Sequence, residues 1–267
     1  MKKYCSFFRV RFALGLQYRT AALAGMVTQF FWGGMNILMY RAFYEADAAA
    51  FPMTLQATSS YIWLQQAFLM LFAAWLLENE IFDDIVSGNV AYELCRPVNI
   101  YDMWFARSAA NRLSRAVLRS FPILAVASLL PAPYGMAAPA SAAHFLLFLL
   151  TAVLGFGVTV AFFMLVYALT FYTVSPNGLR ILISSVVEFF AGAIIPLPFF
   201  PDGVRRVFEM LPFASMQNVP LRVYSASMTA QEMARAIGLQ AFWLAALVAA
   251  GRMLCSHALT KMTVQGG

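Results

Sequence analysis

Long uncharged stretches alternate with short polar segments along this chain of 267 residues. A transmembrane helix needs about 20 mostly apolar residues. Six stretches meet or approach that length. They are residues 20–40, about 59–77, 120–130 with the arginine-bearing turns before them, 144–173, a stretch from about 179, and about 236–255. The pattern predicts an all-α, polytopic membrane protein with six transmembrane helices in a single transmembrane domain, 1–267.

The segment 195–235 interrupts this pattern, because it is apolar but rich in proline. It contains Pro196, Pro198, Pro201, Pro212 and Pro220. Proline removes a backbone donor and breaks helices, so no straight span fits this stretch. We predict re-entrant half-helices that dip into the outer leaflet before the last span, with protein covering their free backbone groups.

The first 19 residues mix aromatic and basic side chains. Tyr4, Phe7, Phe8 and Phe12 lie among lysines and arginines, which favours a helix on the membrane surface. Arg11 falls within the apolar face of that helix and makes the pattern imperfect. The alternative is a flexible basic tail.

Composition places the chain among membrane proteins. It is 62% hydrophobic and 11% charged, whereas soluble domains carry about 25% charged residues. The net charge of +6 is better explained by basic cytosolic loops than by nucleic-acid binding. If the N-terminus is inside, thirteen lysines and arginines, Lys261 among them, fall in cytosolic segments and five in outer ones. This bias predicts that both termini are cytosolic.

The sequence lacks the residues that a metal site, a catalytic centre or an ATP-binding site would need. Three cysteines lie far apart and only two histidines are present, so we expect no metal site. No paired acids or Ser/Lys dyad suggests a catalytic centre. No GxxxxGK[ST] loop or LSGGQ-like stretch occurs, so ATP and Mg²⁺ are expected to bind a partner chain.

One polar island is the main candidate site. The stretch 78–99, within a predicted cytosolic loop 78–104, holds five of the twelve acids. "EIFDDIVSG" predicts a short helix with Ile81, Phe82, Ile85 and Val86 on one side and Gly88 at its end. It is either a docking element at the inner membrane surface or an ordinary acidic loop.

The chain resembles the permease subunit of type-2 ABC exporters, in the branch that pairs two unlike permeases with a separate ATPase. The matching stretches are "YRTAALAGMVTQFFWGGMNILMY", "DIVSGNVAYELCRPVN" leading into "FARSAANRLSRAVLRS", and "AGAIIPLPFFPDGVRRVFEMLPF". The resemblance implies export across the bacterial cytoplasmic membrane. It also implies ABC ATPase subunits as partners, together with membrane lipids and a second permease that is either a related chain or another copy of this one.

The same resemblance assigns the coupling helix, which sits in a groove of the ATPase. It implies that the contact is formed by Asp83, Asp84, Ile85, Val86, Ser87 and Gly88. Glu93, Leu94, Arg96 and Pro97 would lie beside it. A different function, a membrane scaffold or assembly subunit that transports nothing, is also compatible with the sequence.

Two further features carry alternative interpretations. Glu188 lies within the fifth predicted span, where an acid is costly. It either lines a translocation path or is hydrogen-bonded to Ser, Thr or Tyr on a neighbouring helix or on the partner permease. Arg107, Arg112, Arg115 and Arg119 recur along one side of the third span. We expect them to reach the cytosolic interface by extending their side chains, although they could instead guide anionic headgroups.

Overall fold

The computed structural model describes residues 2–173 and 175–260, and within them every regular element is helical. The all-α prediction is therefore confirmed for this part of the chain. Lys261, counted above among the cytosolic basic residues, lies outside the described residues.

Twelve α-helices follow one another, with two 3₁₀ turns at Ala48–Ala50 and Leu197–Phe199. The α-helices are α1 (Lys2–Gly15), α2 (Arg19–Ala46), α3 (Leu55–Ala67), α4 (Leu69–Phe72), α5 (Asn79–Ser87), α6 (Val90–Leu94), α7 (Ile100–Leu129), α8 (Ala142–Thr170), α9 (Pro176–Phe190), α10 (Asp202–Met210), α11 (Asn218–Tyr224) and α12 (Ala230–Thr260).

Two helices, α8 and α12, are long and apolar enough to cross a membrane by length and composition. α2 and α7 reach 28 and 30 residues, and α7 carries the arginine row. The six-span count therefore stays a prediction.

The second and fifth predicted spans differ from expectation. The stretch 59–77 is not one helix, because α3 ends at Ala67, α4 ends at Phe72, and residues 73–78 are not helical. α9 has only 15 residues, so its length is ~22 Å at about 1.5 Å per residue. It is followed by Gly192, whose φ is +76°, a conformation that ends helices.

The last helix begins earlier than the predicted residue 236. Thr229 precedes α12, and its backbone N–H donates to Glu232 Oε2 at 2.7 Å. The Glu232 N–H donates in return to Thr229 Oγ1 at 3.3 Å. This reciprocal pair is a capping box. It gives the proline-broken region an end at residue 229 rather than 235.

α8 lies at the centre of the helix packing and contacts α7, α9, α11 and α12. Its residues Val158, Phe163 and Tyr167 are wholly buried in the main apolar core. Gly155 lets the backbone at Met216 pack directly against α8, since a Cβ at position 155 would lie 2.1 Å from the Met216 carbonyl oxygen. α8 is thus the helix against which the proline-broken region is held.

The helices give the molecule two opposite ends. One end, the α5 end, gathers α5, α6, the starts of α7 and α9 and the C-terminal part of α12. Ion pairs and hydrogen bonds such as Arg252–Asp102 at 2.7 Å and Arg180–Asn79 at 2.5 Å join these parts. The other, the α10 end, gathers α10, α11, the starts of α3 and α8 and the end of α2. There the Tyr40 ring packs 5.1 Å from the Phe199 ring.

α1 is a regular helix, as predicted, and not an irregular tail. It runs beside the first half of α7 in the same direction: the Tyr4 hydroxyl accepts from the Asn99 N–H at 2.9 Å, and Gly15 lies against Ser114. Its aromatic stripe, Tyr4, Phe7 and Phe8, packs on the protein core. The location of α1 at the membrane surface stays a prediction.

Candidate functional site: the α5 end

Helix α5 forms where the acid island predicted a helix, and it stops where predicted. Gly88 takes a left-handed backbone with φ +76°, and its N–H donates to the Ile85 carbonyl at 3.3 Å. Residues with a Cβ adopt this conformation only at a cost, so glycine is the natural helix end.

The four apolar residues predicted on one side of α5 differ in burial. Ile81 and Phe82 are fully buried and Ile85 is half-buried, but 62% of Val86 is exposed. Asp83, Ser87 and Gly88 are exposed as well. The helix therefore has a buried side formed near its start and a free side toward its end.

The buried side is anchored by one aromatic ring. Phe82 packs edge-on against Tyr167 of α8, with ring centroids 5.1 Å apart. The Arg180 guanidinium of α9 lies 5.0 Å from the Phe82 centroid and also donates to Asn79 Oδ1. α5 is thus attached to α8 through Phe82 and to α9 through Phe82 and Asn79.

Ion pairs attach the same helix to α1 and α7. Glu80 Oε2 lies 3.2 Å from Arg11 and 3.5 Å from Arg107. This explains why Arg11 interrupts the apolar stripe of α1. The charge of Arg11 is used in a contact with α5.

Glu93 corrects one part of the expected contact set. Its carboxylate accepts from Arg107 at 3.1 Å and from Trp104 Nε1 at 2.7 Å, and only 7% of the residue is exposed. A carboxylate bonded on both oxygens inside the fold supports the loop from within. Glu93 is therefore not on a docking face.

The remaining predicted residues differ in exposure. Leu94, Arg96 and Pro97 are exposed on the segment after α6, and Asp84 is half-buried. The free surface of the α5 end, which we call the α5 face, consists of Asp83, Val86, Ser87, Gly88, Leu94, Arg96 and Pro97.

Sequence reasoning missed Tyr92, an aromatic side chain that is 75% exposed beside this face. The signal was present, since Tyr92 stands opposite the buried Val90 and Glu93 on α6. An exposed aromatic next to a free helix end is typical of contact surfaces.

Two carboxyl groups at this end are perturbed by their surroundings. Partial burial raises the pKa of Asp84, and the nearby acids Glu93, Glu80 and Asp83 raise it further, against the opposing effect of Arg107. Burial also raises the pKa of Glu78, opposed by a hydrogen bond from Asn111 and by nearby arginines. Both groups hold a proton more readily than free carboxyls do.

Arg112 contradicts the expected extension to the interface. It is fully buried, and its guanidinium donates to the carbonyls of Leu71, Ala73 and Leu76 at 3.1, 2.9 and 2.5 Å. The guanidinium also lies 4.7 Å from the Phe163 ring centroid. Arg112 thus satisfies the carbonyls left free where the second predicted span unwinds.

The other arginines of the row differ from one another. Arg107 is buried between Glu80 and Glu93, again contrary to expectation. Arg115 is exposed, and Arg119 is half-buried.

Glu188 lies on α9 and is half-exposed. Among the described residues its carboxylate has no ion pair and no hydrogen bond, so no neighbouring helix of this chain supplies a partner for it. In the same part of the chain no group of three or more His, Cys, Asp or Glu side chains is placed to hold a metal ion.

Comparison with known proteins shows the family to which the chain belongs. The family model described as "ABC-2 family transporter protein" matches residues 23–266. No curated protein matches the chain, and no solved structure does. Since the match covers nearly all of the chain, the protein belongs to the ABC-2 transporter family and is a membrane-embedded, non-catalytic permease subunit of an ABC transporter.

Proposed function

We propose that this permease belongs to an exporter and is driven by a separate ATPase that docks on the α5 face. The observation that carries the proposal is the division of α5 into an anchored side and a free side. A surface that must bind a second protein needs exposed residues, and a surface that must move the permease needs a firm attachment behind them. α5 has both.

The attachment suggests how motion reaches the membrane. When two ATPase subunits close on ATP, a helix held in each is displaced as a rigid body. Phe82 contacts α8, Arg180 belongs to α9, and Glu80 and Glu93 are paired with Arg107 of α7. A displacement of α5 is therefore passed to three helices, α7, α8 and α9, at once. ATP and Mg²⁺ bind the partner chain in this proposal.

We further propose six spans with both termini in the cytosol of a bacterial cell. The alternation of helix directions between the α5 end and the α10 end supports this. The proline-broken segment then lies on the outer side. In this arrangement α9 is a short span, surrounded by protein and thinned bilayer.

A second permease, either another copy or an unlike chain, completes the transporter in this proposal. The outer face of α2 supports a partner or lipid there, because Phe31, Trp32 and Met35 are 75%, 54% and 53% exposed. Gly34 lies among them with open space around its Cβ position. Small residues of this kind let two helices approach closely in a membrane.

The docking proposal is tested by reversing one charge, Asp83→Lys. Asp83 is exposed and takes no part in an ion pair within the described chain, so the fold is expected to be retained. We expect the amount of ATPase that co-purifies with the permease to fall at least about tenfold, since a wrong charge in an interface costs several kcal/mol and about 1.4 kcal/mol already weakens binding tenfold. Co-purification and transport by membrane vesicles measure the result.

Glu45→Lys is the matched control, since Glu45 is an exposed acid at the α10 end. It should leave ATPase binding unchanged. Normal ATPase binding by Asp83→Lys contradicts docking at the α5 face. A purified complex without any nucleotide-binding protein supports the alternative function, a scaffold or assembly subunit.

We also propose that Glu188 lines the translocation path. The absence of a side-chain partner in the described residues favours this over a structural role, because a carboxylate at depth is retained at a cost. Glu188→Gln keeps the size and removes the charge. We expect transport to fall while ATPase binding and thermal stability stay at the wild-type level; unchanged transport returns Glu188 to a structural role.

A further inference from the structure

A cavity of about 220 Å³ opens at the α10 end between α10, α11 and α12. It lies at the opposite end from the α5 face and plays no part in the proposed docking. Six charged side chains line it: Arg205, Arg206, Arg222, Arg235, Glu209 and Glu232. The arginines around the cavity thus outnumber the acidic residues.

The acids of the cavity are already engaged. Glu209 lies 2.5 Å from Arg222 and 3.8 Å from Arg205. The Glu232 carboxylate accepts from the N–H and the hydroxyl of Thr229, at 2.7 and 3.0 Å, in the capping box of α12. The two acids therefore cancel only part of the positive electrostatic potential that the arginines produce inside the cavity.

Two arginines remain without an acidic partner. Within residues 2–173 and 175–260, no carboxylate lies within 4 Å of Arg206 or Arg235, although both line the cavity. Both side chains are exposed, so they stand at the opening rather than at the floor. They are free to bind an anion that enters.

The floor contains a buried and incompletely satisfied arginine. Only 4% of Arg222 is exposed; it donates to Glu209 and to the Ser227 carbonyl, yet its Nε has no partner among the described residues. A buried donor without an acceptor is costly and uncommon. Ser215 and Asn218 add polar groups to the same wall.

Size and surroundings restrict the ligand. The volume is below the range of about 300–1,000 Å³ typical of pockets for drug-sized molecules, so a compact group fits. Several guanidinium groups match the oxygens of a phosphate in number and geometry. α10 also exposes Val204, Val207 and Met210 on its outer side, as helices at a lipid boundary do.

We infer that the cavity between α10, α11 and α12 binds a phosphate group, carried either by an anionic phospholipid or by a free phosphate anion. Arg206 and Arg235 attract the group at the opening, and Arg222 with Asn218 and Ser215 form the floor. Binding there does not depend on the direction of transport or on docking of the ATPase.

The test uses the full-length permease, with the ATPase bound if it co-purifies, in neutral detergent. Phosphatidylglycerol or phosphatidylcholine is titrated, and bound lipid is counted by mass spectrometry of the intact complex. We expect wild-type protein to bind phosphatidylglycerol in preference. The double variant Arg206→Gln/Arg235→Gln should bind it roughly 25-fold more weakly, since each arginine near an anionic headgroup contributes about fivefold.

Arg41→Gln is the matched control. Arg41 is an exposed arginine at the same end, already paired with Glu45 at 2.6 Å, and its loss should not change lipid binding. Inorganic phosphate at constant ionic strength distinguishes the source. A rise in melting temperature that the double variant lacks shows that free phosphate occupies the site; no rise together with lipid binding assigns it to the headgroup. The inference is overturned if the wild type and the double variant bind phosphatidylglycerol equally and phosphate raises the melting temperature of neither or of both alike.

Discussion

At the scale of single residues, Arg112 has the clearest structural role. The second predicted span unwinds after Phe72, and its last carbonyls have no partner within a helix. In a membrane such groups must be satisfied by protein. Arg112 does this for three carbonyls and stacks on Phe163. A planar guanidinium with five donors suits this task, and a lysine does not.

Replacement of this residue by leucine should destabilise the fold strongly. Arg112→Leu leaves three buried carbonyls unpaired, and each costs about 1–3 kcal/mol. We expect a loss of at least about 3 kcal/mol of stability, measured as the unfolding midpoint of purified protein in detergent. Arg115→Leu, one turn further along α7 and exposed, should change stability by less than about 0.5 kcal/mol. Equal effects of the two substitutions contradict the role of Arg112.

At the scale of elements, the short helix α5 depends on two features at its ends. Phe82 and Glu80 anchor its first turns to the bundle, and Gly88 lets the chain turn away without a clash. The free turn between them presents Asp83, Val86 and Ser87. Ordering of so short a helix comes from its tertiary contacts, since an isolated helix of nine residues is unstable in water.

Gly88→Ala tests the helix end. A Cβ at this position meets no atom within 4 Å, so the cost comes from the left-handed backbone alone and is about 1 kcal/mol. Amide hydrogen exchange of α5 should therefore be roughly fivefold faster than in the wild type. Gly238→Ala, in the interior of α12 and also in open space, should slow amide hydrogen exchange in its own helix, because alanine favours a helix interior. Unchanged exchange in α5 would show that Gly88 is not what ends the helix.

At the scale of the whole molecule, the two ends differ in chemistry. The α5 end is closed by ion pairs among α1, α5, α7 and α12, whereas the α10 end is built from prolines, aromatic rings and an arginine-lined cavity. This difference is compatible with the proposed function, in which the ATPase docks at the α5 end only.

Native cysteines test the proposed orientation. Cys5 and Cys95 are exposed at the α5 end, and Cys255 is buried. A membrane-impermeant maleimide should label the first two in inside-out vesicles and not in intact cells. Ala49→Cys, at an exposed position of the α10 end, should show the reverse when Cys5 and Cys95 are replaced by serine. Labelling of Cys95 from outside intact cells would show the opposite topology and would exclude a cytosolic ATPase at the α5 face.

The candidate site was predictable in position and not in detail. The acid island, its helix and its end at Gly88 follow from local rules of periodicity and backbone freedom, which act between neighbours in the sequence. Which side of the helix is free depends on Tyr167, Arg180 and Arg107, and these lie on other helices. The burial of Glu93, Ile81 and Phe82 was therefore not foreseen: Trp104 and Arg107 turn Glu93 inward, and α8 covers the start of α5.

The sequence by itself determined the all-α class, the membrane environment and the family resemblance, since a chain that is 62% hydrophobic with long uncharged stretches can bury itself only in lipid and in helices. Tertiary structure alone decided the break after α4, the burial of Arg107 and Arg112, the packing of α1 on α7 and the cavity at the α10 end. The physical reason is that an arginine in an apolar helix has the same local pattern whether it extends to water or satisfies distant carbonyls. Only the partners brought together by folding distinguish the two.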